Sequence, residues 1–290
     1  MSAKDLIAAR PDPFLTAHLM GDLKGRSVRG GAVTMAAQGG QFALQLGSTA
    51  VLARILTPAD FGLIAMVTAV TGFVAMFKDA GLSMATVQRE TITHDQVSTL
   101  FWINVALSIG LMALTAALAP AIAWFYGEPR LTAITLALAT TFVFGGLTVQ
   151  HQALLQRQMR FTELSAIAVA TMAIGVAAAI ASAAAGWGYW ALVVMAAAQA
   201  AANAAFVWIA SGWTPGPPRR GSGVRPMLKF GGYVTGFNLV NYIRRNGDNV
   251  FIGLGSGSSA LGLYAKAYGL LMLPVQQLNT PLSRVALPAL

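Results

Sequence analysis

Apolar runs long enough to cross a lipid bilayer recur along almost the whole chain. A helix needs about 20 residues to cross a hydrocarbon core of roughly 30 Å. The runs are continuous and rich in Ala, Leu, Met and Val, which favours helices over the alternating strands of a membrane barrel. We therefore predict an all-α, polytopic integral membrane protein with about eight transmembrane helices, at Ala32–Leu52, Phe61–Phe77, Leu100–Ala119, Leu131–Val149, Leu164–Ala185, Tyr189–Ala210, Phe230–Gly253 and Leu261–Ser283.

The amino-acid composition supports this class and excludes a soluble globular domain. Of the 290 residues, 56% are hydrophobic and only 10% are charged, whereas soluble domains carry about 25% charged residues. The chain contains no cysteine, so neither a disulfide nor a thiolate metal site is available. The three histidines fall in predicted loops or at helix ends, without the spacing of metal ligands. We predict solvated histidines, no metal site and no cofactor.

The net charge of +9 follows from the topology rather than from nucleic-acid binding. Lys and Arg cluster in the N-terminal tail and in every second loop between the predicted spans. This asymmetry is typical of the positive-inside rule, so we expect the lipid bilayer and not nucleic acid to contact these residues. The N-terminus is predicted to be cytoplasmic. The first residues lack an apolar core with a small-residue cleavage site, and a cleaved secretory signal is not expected.

A polar, Pro/Gly-rich loop, TPGPPRRGSGVR at residues 214–225, follows the sixth predicted span. Such a loop is typical of a linker between two bundles. We predict a cytoplasmic tail at residues 1–29, a six-helix lobe at 30–212, a cytoplasmic linker at 213–226, and the first two helices of an incomplete second lobe at 227–290.

The seventh predicted span is unusually polar. It contains Arg244, Arg245 and Asp248, and also Asn238 and Asn241. Each ionised side chain near the middle of a lone membrane helix costs about 2.5–3.5 kcal/mol. These residues are therefore expected to line water, pair with one another or contact a ligand.

An internal repeat relates this span to the first one. Shifting the sequence by 200 residues places Gly31 on Gly231 and Gly62 on Gly262 without gaps. The same shift places a polar stripe of the first span on polar residues of the seventh. Parallel repeats of this kind are typical of secondary transporters with a substrate site at the repeat interface. Since the second copy extends only to Leu290, we expect a C-terminally truncated chain. The stripe residues Gln38, Gln41 and Gln45 fall on Asn238, Asn241 and Arg245.

A series of short motifs resembles a known family in order and spacing. The resemblance is to polysaccharide-export flippases of the multidrug/oligosaccharidyl-lipid/polysaccharide superfamily, in particular lipopolysaccharide and colanic-acid exporters. It runs from about residue 30 to the last residue. The motifs are RILTPADFG at 54–62, KDAGL at 78–82, FWIN at 101–104, APAIAWFYG at 119–127, QRQMRF at 156–161, GWGYWAL at 186–192, NGDNVFIG at 246–253 and LGLYA at 261–265.

The resemblance implies two six-helix lobes around a central cavity that work by alternating access. It also implies a substrate, oligosaccharide linked to undecaprenyl pyrophosphate, which moves across the bacterial inner membrane. Members of the family have more helices than this chain supplies. That departure leaves a non-functional truncated product as one alternative.

The candidate site combines groups that suit such a substrate. Arg244 and Arg245 are expected to bind phosphate oxygens, because the planar guanidinium donates parallel hydrogen bonds and stays charged. Asp248 can pair with either arginine, and it could also carry a coupling proton or sodium ion. Carboxamides both donate and accept, which suits sugar hydroxyls; the candidates are Gln38, Gln41, Gln45, Asn238 and Asn241.

Simpler interpretations of these residues remain open. Arg244 and Asp248 could form only an intrahelical pair, or both arginines could extend to the outer interface. The glutamine stripe could be hydrogen-bonding glue between helices, as could Gln199 and Asn203. At the level of function, a drug or cation antiporter on the same scaffold is the nearest alternative, although it would favour an acidic cavity. A membrane enzyme is disfavoured, because no loop is long enough to gather histidines or carboxylates.

Overall fold

The structure, a computed structural model, describes residue 14 and residues 23–219, 221–237 and 239–240. All regular structure in these residues is helical, which confirms the predicted all-α fold. A further helical stretch covers residues 225–237. The named helices are α1 (Leu23–Ile55), α2 (Pro58–Ala75), α3 (Leu82–Gln88), α4 (His94–Tyr126), α5 (Arg130–Ala139), α6 (Thr141–Arg157), α7 (Phe161–Ala184) and α8 (Trp190–Ser211).

Four segments of the described residues are long and apolar enough to cross a membrane. The first is α4, the second is formed by α5 and α6 together, the third is α7 and the fourth is α8. They correspond to the third to sixth predicted spans. The first two predicted spans are also helical, within α1 and largely within α2. The predicted span Leu261–Ser283 and most of Phe230–Gly253 lie outside the described residues.

The helix starts follow from local sequence. Thr57 caps α2 by accepting the Asp60 N–H (3.3 Å), while the Asp60 carboxylate accepts the Thr57 N–H (2.8 Å). Pro58 occupies the first turn, where its missing N–H leaves no intrahelical bond unmade. Thr93 and Gln96 form the same reciprocal pair at the start of α4. Two of the long helices therefore begin at the residues that satisfy their free N–H groups.

The helical structure is interrupted between α2 and α3, at residues 76–81. We call this interruption the break. Ala80 and Gly81 adopt left-handed backbone conformations, with φ of 48° and 68°. A Cβ atom at Gly81 would lie 2.6 Å from the carbonyl oxygen of Gly231. At the break, the backbone between α2 and α3 is therefore in direct contact with the helical stretch 225–237.

A second irregularity separates α5 from α6. The hydroxyl groups of Thr140 and Thr141 donate to the carbonyl oxygens of Ala137 (2.7 Å) and Leu138 (2.6 Å). Side-chain bonds of this kind compete with the helical ladder and bend helices. The interruption at Thr140 divides the fourth predicted span into two helices although Thr140 keeps a right-handed helical conformation.

Packing joins the helices at both ends of the bundle. The α7 helix packs against α1 and α8, and α6 packs against α4 and α8. At one end, Leu82, Phe101 and Leu154 are buried with Met227 of the stretch 225–237. At the other end, Leu63 of α2 packs with Ile134 of α5 and other buried side chains. Within the bilayer, such close packing rather than water exclusion holds helices together.

Candidate functional site

Polar side chains of four helices meet in a pocket of about 270 Å³ between α1, α6, α7 and α8. Its apolar side includes the ring of Phe161 together with Leu164 and Ile167. All twelve lining residues are uncharged. We call it the amide pocket, because carboxamides predominate among its polar groups. These groups belong to Thr34, Gln38, Gln41, Gln152, Gln156, Ser165 and Asn203.

Helical spacing explains how the pocket is built. Gln38 and Gln41 are three residues apart on α1, and Gln152 and Gln156 are four apart on α6. Residues at these spacings lie on one face of a helix. The Gln152 side-chain nitrogen donates to the Asn203 side-chain oxygen at 3.2 Å, which ties α6 to α8. Two amide-bearing faces thus meet across the pocket.

The structure separates the predicted glutamine stripe. Gln38 and Gln41 are half-buried and line the amide pocket, whereas Gln45 is exposed and lies outside its lining. Ser48, one turn later, is buried and donates to the backbone carbonyl of Gln45 at 2.9 Å. The other predicted site residues, Asn238, Asn241, Arg244, Arg245 and Asp248, lie outside the described residues.

Sequence reasoning missed part of the lining. Asn203 was considered only as glue between helices, together with Gln199. Gln199 does pack closely, since a Cβ at Gly175 would lie 2.2 Å from its Cγ. Asn203 instead lines the amide pocket as well as bonding Gln152. Gln152 and Gln156 carry the same i, i+4 signal as the α1 stripe, but they lie beyond the predicted end of their span.

The chemistry of the amide pocket suits a neutral, hydroxyl-rich ligand. Each carboxamide can both donate and accept, whereas an ionic ligand would need an opposite charge. Within the described residues, the side chains of Gln38, Gln41 and Gln156 make no hydrogen bond. Their polar groups are therefore free to bind a ligand in the interior of the bundle.

A chain of buried hydrogen bonds lies beside the helix break. The Thr86 hydroxyl donates to Gln150 Oε1 (2.7 Å), and Gln150 Nε2 donates to Asn104 Oδ1 (2.8 Å). The Asn104 nitrogen donates in turn to the backbone carbonyl of Asp79 (3.2 Å). Thr86, Asn104 and Gln150 are fully buried. Because a satisfied buried network fixes its members, it holds α3 and the break against α4 and α6.

Arg157 is one of the basic residues that follow the predicted spans, and the structure buries it at the end of α6. Its Nη1 donates to the carbonyl oxygens of Thr86 (3.2 Å), Val87 (3.2 Å) and Arg89, and its Nη2 donates to that of Glu90 (2.7 Å). These are the unpaired carbonyls at the C-terminal end of α3, where a positive charge is favoured. Arg157 therefore has a structural role.

The prediction of a solvated His151 is wrong. Because α6 continues to Arg157, past the predicted span end at Val149, His151 lies inside a helix and is fully buried. Its ring stacks on Trp208 with centroids 4.4 Å apart and lies edge-on to Trp213 at 5.0 Å. The described residues contain no group of three or more side chains arranged to hold a metal ion.

The segment that follows α8 is bound to α4. Trp102 Nε1 donates to the carbonyl of Gly216 (2.9 Å), and the Gly216 N–H donates to Ser98 Oγ (3.0 Å). Arg219 pairs with Asp95 at 2.9 Å. The first part of the predicted linker therefore follows the first turns of α4, while Gly221 and Gly223 adopt left-handed conformations beyond it.

The family model and three similar proteins that match this chain all belong to polysaccharide biosynthesis by their descriptions. The sequence model of the family described as "Polysaccharide biosynthesis protein" matches residues 51–290. The teichuronic acid biosynthesis protein TuaB of Bacillus subtilis is 28% identical over 278 residues, which cover 95% of this chain and 56% of TuaB. The lipopolysaccharide biosynthesis protein WzxC of Escherichia coli is 26% identical over 245 residues, covering 82% of this chain and 49% of WzxC.

The succinoglycan biosynthesis transport protein ExoT of Rhizobium meliloti is 25% identical over 251 residues, covering 86% of this chain and 50% of ExoT. The chain spans about half the length of these curated relatives. A crystal structure of a MATE mutant superposes with a TM-score of 0.63 at 14% identity, over 92% of this chain and 65% of that chain. At this identity, the likeness shows the fold alone.

Proposed function

Because the chain belongs to the polysaccharide biosynthesis protein family, we propose that the protein transports oligosaccharide linked to undecaprenyl pyrophosphate across the bacterial inner membrane. The N-terminus is cytoplasmic in this proposal, and two lobes alternate between inward-open and outward-open states without an enzymatic step. The relatives support it by name: ExoT is described as a transport protein, and TuaB and WzxC as proteins of teichuronic acid and lipopolysaccharide biosynthesis.

The amide pocket is the observation that carries this proposal. Gln38, Gln41 and Gln156 are half-buried and line the pocket, and within the described residues their side-chain groups make no hydrogen bond, so these groups are available to a ligand. Sugar hydroxyls would supply both donors and acceptors to these side chains. The pocket is near the lower limit of roughly 300 Å³ for ordinary ligand sites, so it would hold one sugar unit of the glycan rather than all of it.

The charged pyrophosphate end of the cargo needs other residues to bind it, since no charged residue lines the amide pocket. We assign it to Arg244 and Arg245, with Asn238 and Asn241 beside them and Gln45 on α1. Asp248 would neutralise the arginines before the cargo arrives, and it would bind the coupling proton or sodium ion. In this division, the first lobe binds sugar and the second lobe binds pyrophosphate.

A drug or cation antiporter is the second candidate, because the fold is like that of a MATE protein. A cationic substrate would need a carboxylate in its binding pocket. The lining of the amide pocket contains none, so the glycan remains the better match.

The test uses a bacterial strain from which the gene is deleted, complemented with the full-length protein. Replacing both Arg244 and Arg245 by Ala should abolish surface glycan while leaving the amount of protein in the membrane unchanged. Normal surface glycan in this double variant would overturn the assignment of the pyrophosphate site. Normal surface glycan in the deletion strain itself would overturn the proposed function.

A further inference from the structure

A second pocket, of about 310 Å³, opens between α3 and the helical stretch 225–237. One face is apolar and the other carries a guanidinium and a carboxamide, and no carboxylate lines it. We call it the Arg89 pocket. Its lining residues are Ala85, Gln88, Arg89, Pro226, Met227 and Phe230.

Arg89 differs from Arg157, Arg160 and Arg219 at this end of the bundle. Arg160 pairs with Glu163, and Arg219 pairs with Asp95 at 2.9 Å. Arg157 is occupied by backbone carbonyls at the end of α3. Among the described residues, no carboxylate lies within ion-pair distance of the Arg89 side chain. Glu90 is the next residue, but neither it nor another carboxylate of the described residues pairs with Arg89, and a guanidinium without an ion-pair partner is suited to an anion.

The apolar half of the pocket limits what that anion can be. Phe230 is 37% exposed, and the apolar side chains of Tyr233 and Phe237 continue along the same helical stretch at 66% and 71% exposure. Arg225 and Lys229 are exposed on the flank of this stretch and raise the local positive potential. A small inorganic anion would leave the aromatic surface exposed to water, whereas an anion that carries an acyl chain would cover it.

The position of the pocket matches the surface of a bilayer. Arg89 follows the last residue of α3, close to the C-terminal end of α6 and the N-terminal end of α4, since Arg157 contacts its carbonyl. Both α4 and the α5–α6 segment are long and apolar enough to cross a membrane. Basic pockets at the membrane surface bind anionic lipid headgroups, and the Arg89 pocket lies next to the ends of these two membrane helices.

We propose that the Arg89 pocket binds an anionic phospholipid of the surrounding membrane. Arg89 and Gln88 donate to the phosphate, and the acyl chain lies along Phe230 and the aromatic residues beyond it. The lipid would contact α3 on one side and the stretch 225–237 on the other. These two segments already touch at Gly81 and Gly231, so the bound lipid would stabilise their contact.

The experiment measures lipid retention by the full-length protein and requires no transport. Purified, delipidated protein is mixed with phosphatidylglycerol or with phosphatidylcholine of identical acyl chains, and bound lipid is counted by native mass spectrometry. The unchanged protein should retain phosphatidylglycerol preferentially. Arg89→Gln should weaken that retention roughly fivefold, the factor expected for one basic residue at an anionic lipid surface. Arg130→Gln is the matched control, because Arg130 lies in another part of the bundle and pairs with Glu128.

The outcomes are distinct. Equal retention of phosphatidylglycerol by the Arg89→Gln and Arg130→Gln variants would overturn the proposal, as would no preference of the unchanged protein for either lipid. Inorganic phosphate should not displace the bound lipid, because it cannot replace the acyl contacts. Displacement by phosphate at low millimolar concentration would identify a simple anion site and contradict a lipid site. None of these results depends on whether the protein transports glycan.

Discussion

Arg157 places a positive charge in the protein interior, where backbone carbonyl groups accept its hydrogen bonds. It is 5% exposed and donates to residues 86, 87, 89 and 90 at the end of α3. A lone buried charge would be unfavourable. Here the guanidinium fork matches several carbonyls that the short helix leaves unpaired, so one side chain secures the end of α3 to α6.

Replacing Arg157 should therefore destabilise the protein. Arg157→Gln leaves several buried carbonyls unsatisfied, each costing about 1–3 kcal/mol, and we expect a clear decrease in the apparent melting temperature in detergent. Arg157→Lys should recover only part of the loss, since an ammonium cannot reproduce the fork. Arg130→Gln removes an exposed pair and should change the melting temperature little. A melting temperature of Arg157→Gln as high as that of Arg130→Gln would contradict this role.

At the scale of residues, sequence patterns predicted only part of the lining of the amide pocket. Gln38 and Gln41 were predicted from their spacing on α1. Gln152 and Asn203 were not, because their partners lie about 50 or more positions away in the sequence and only the fold brings them together. The burial of His151 was missed for a different reason. The hydrophobic run in the sequence ends at Val149, whereas the helix α6 continues to Arg157.

At the scale of elements, the break between α2 and α3 combines an irregular backbone with a close helix contact. Gly81 has φ of 68° and lies against the backbone of Gly231. Gly127, at the C-terminal end of α4, has nearly the same φ of 65°, but nothing lies within 4 Å of the position of its Cβ. The two glycines differ in their surroundings and not in their conformation.

This pair allows the close contact to be measured separately from backbone strain. Alanine at either position incurs the left-handed conformational cost of about 1–2 kcal/mol. Gly81→Ala must in addition separate the α2–α3 break from the stretch 225–237. We expect the melting temperature of Gly81→Ala to be clearly lower than that of Gly127→Ala. Equal melting temperatures would show that the contact contributes nothing.

Helix starts could be predicted from sequence, but helix interruptions could not. The motif around Thr57 and Pro58 satisfies free N–H groups locally, so its structure depends on only a few neighbouring residues. The break at Ala80 lies against the backbone of Gly231, which is distant in the sequence. Apolar runs continue through Thr140 and up to Ala80, and hydrophobicity alone does not record where a helix is interrupted.

At the scale of the whole molecule, the first six predicted spans form a bundle with its own polar pocket. The segment after α8 remains attached to α4 through Gly216 and Arg219. These contacts bind the first residues of the predicted linker, residues 213–226, to α4. Gly221 and Gly223, both in left-handed conformations, form the turn between this bound segment and the stretch 225–237.

We propose that the amide pocket binds the sugar of the cargo during transport. The rate at which the full-length protein moves a fluorescent lipid-linked oligosaccharide across proteoliposome membranes tests this binding. Replacing both Gln38 and Gln41 by Leu should reduce this rate roughly tenfold or more, because each lost hydrogen bond is worth about 1 kcal/mol. Thr49→Val, an exposed change on the same helix α1 and outside the pocket, should keep the original rate. An unchanged rate in the double glutamine variant would contradict the claim.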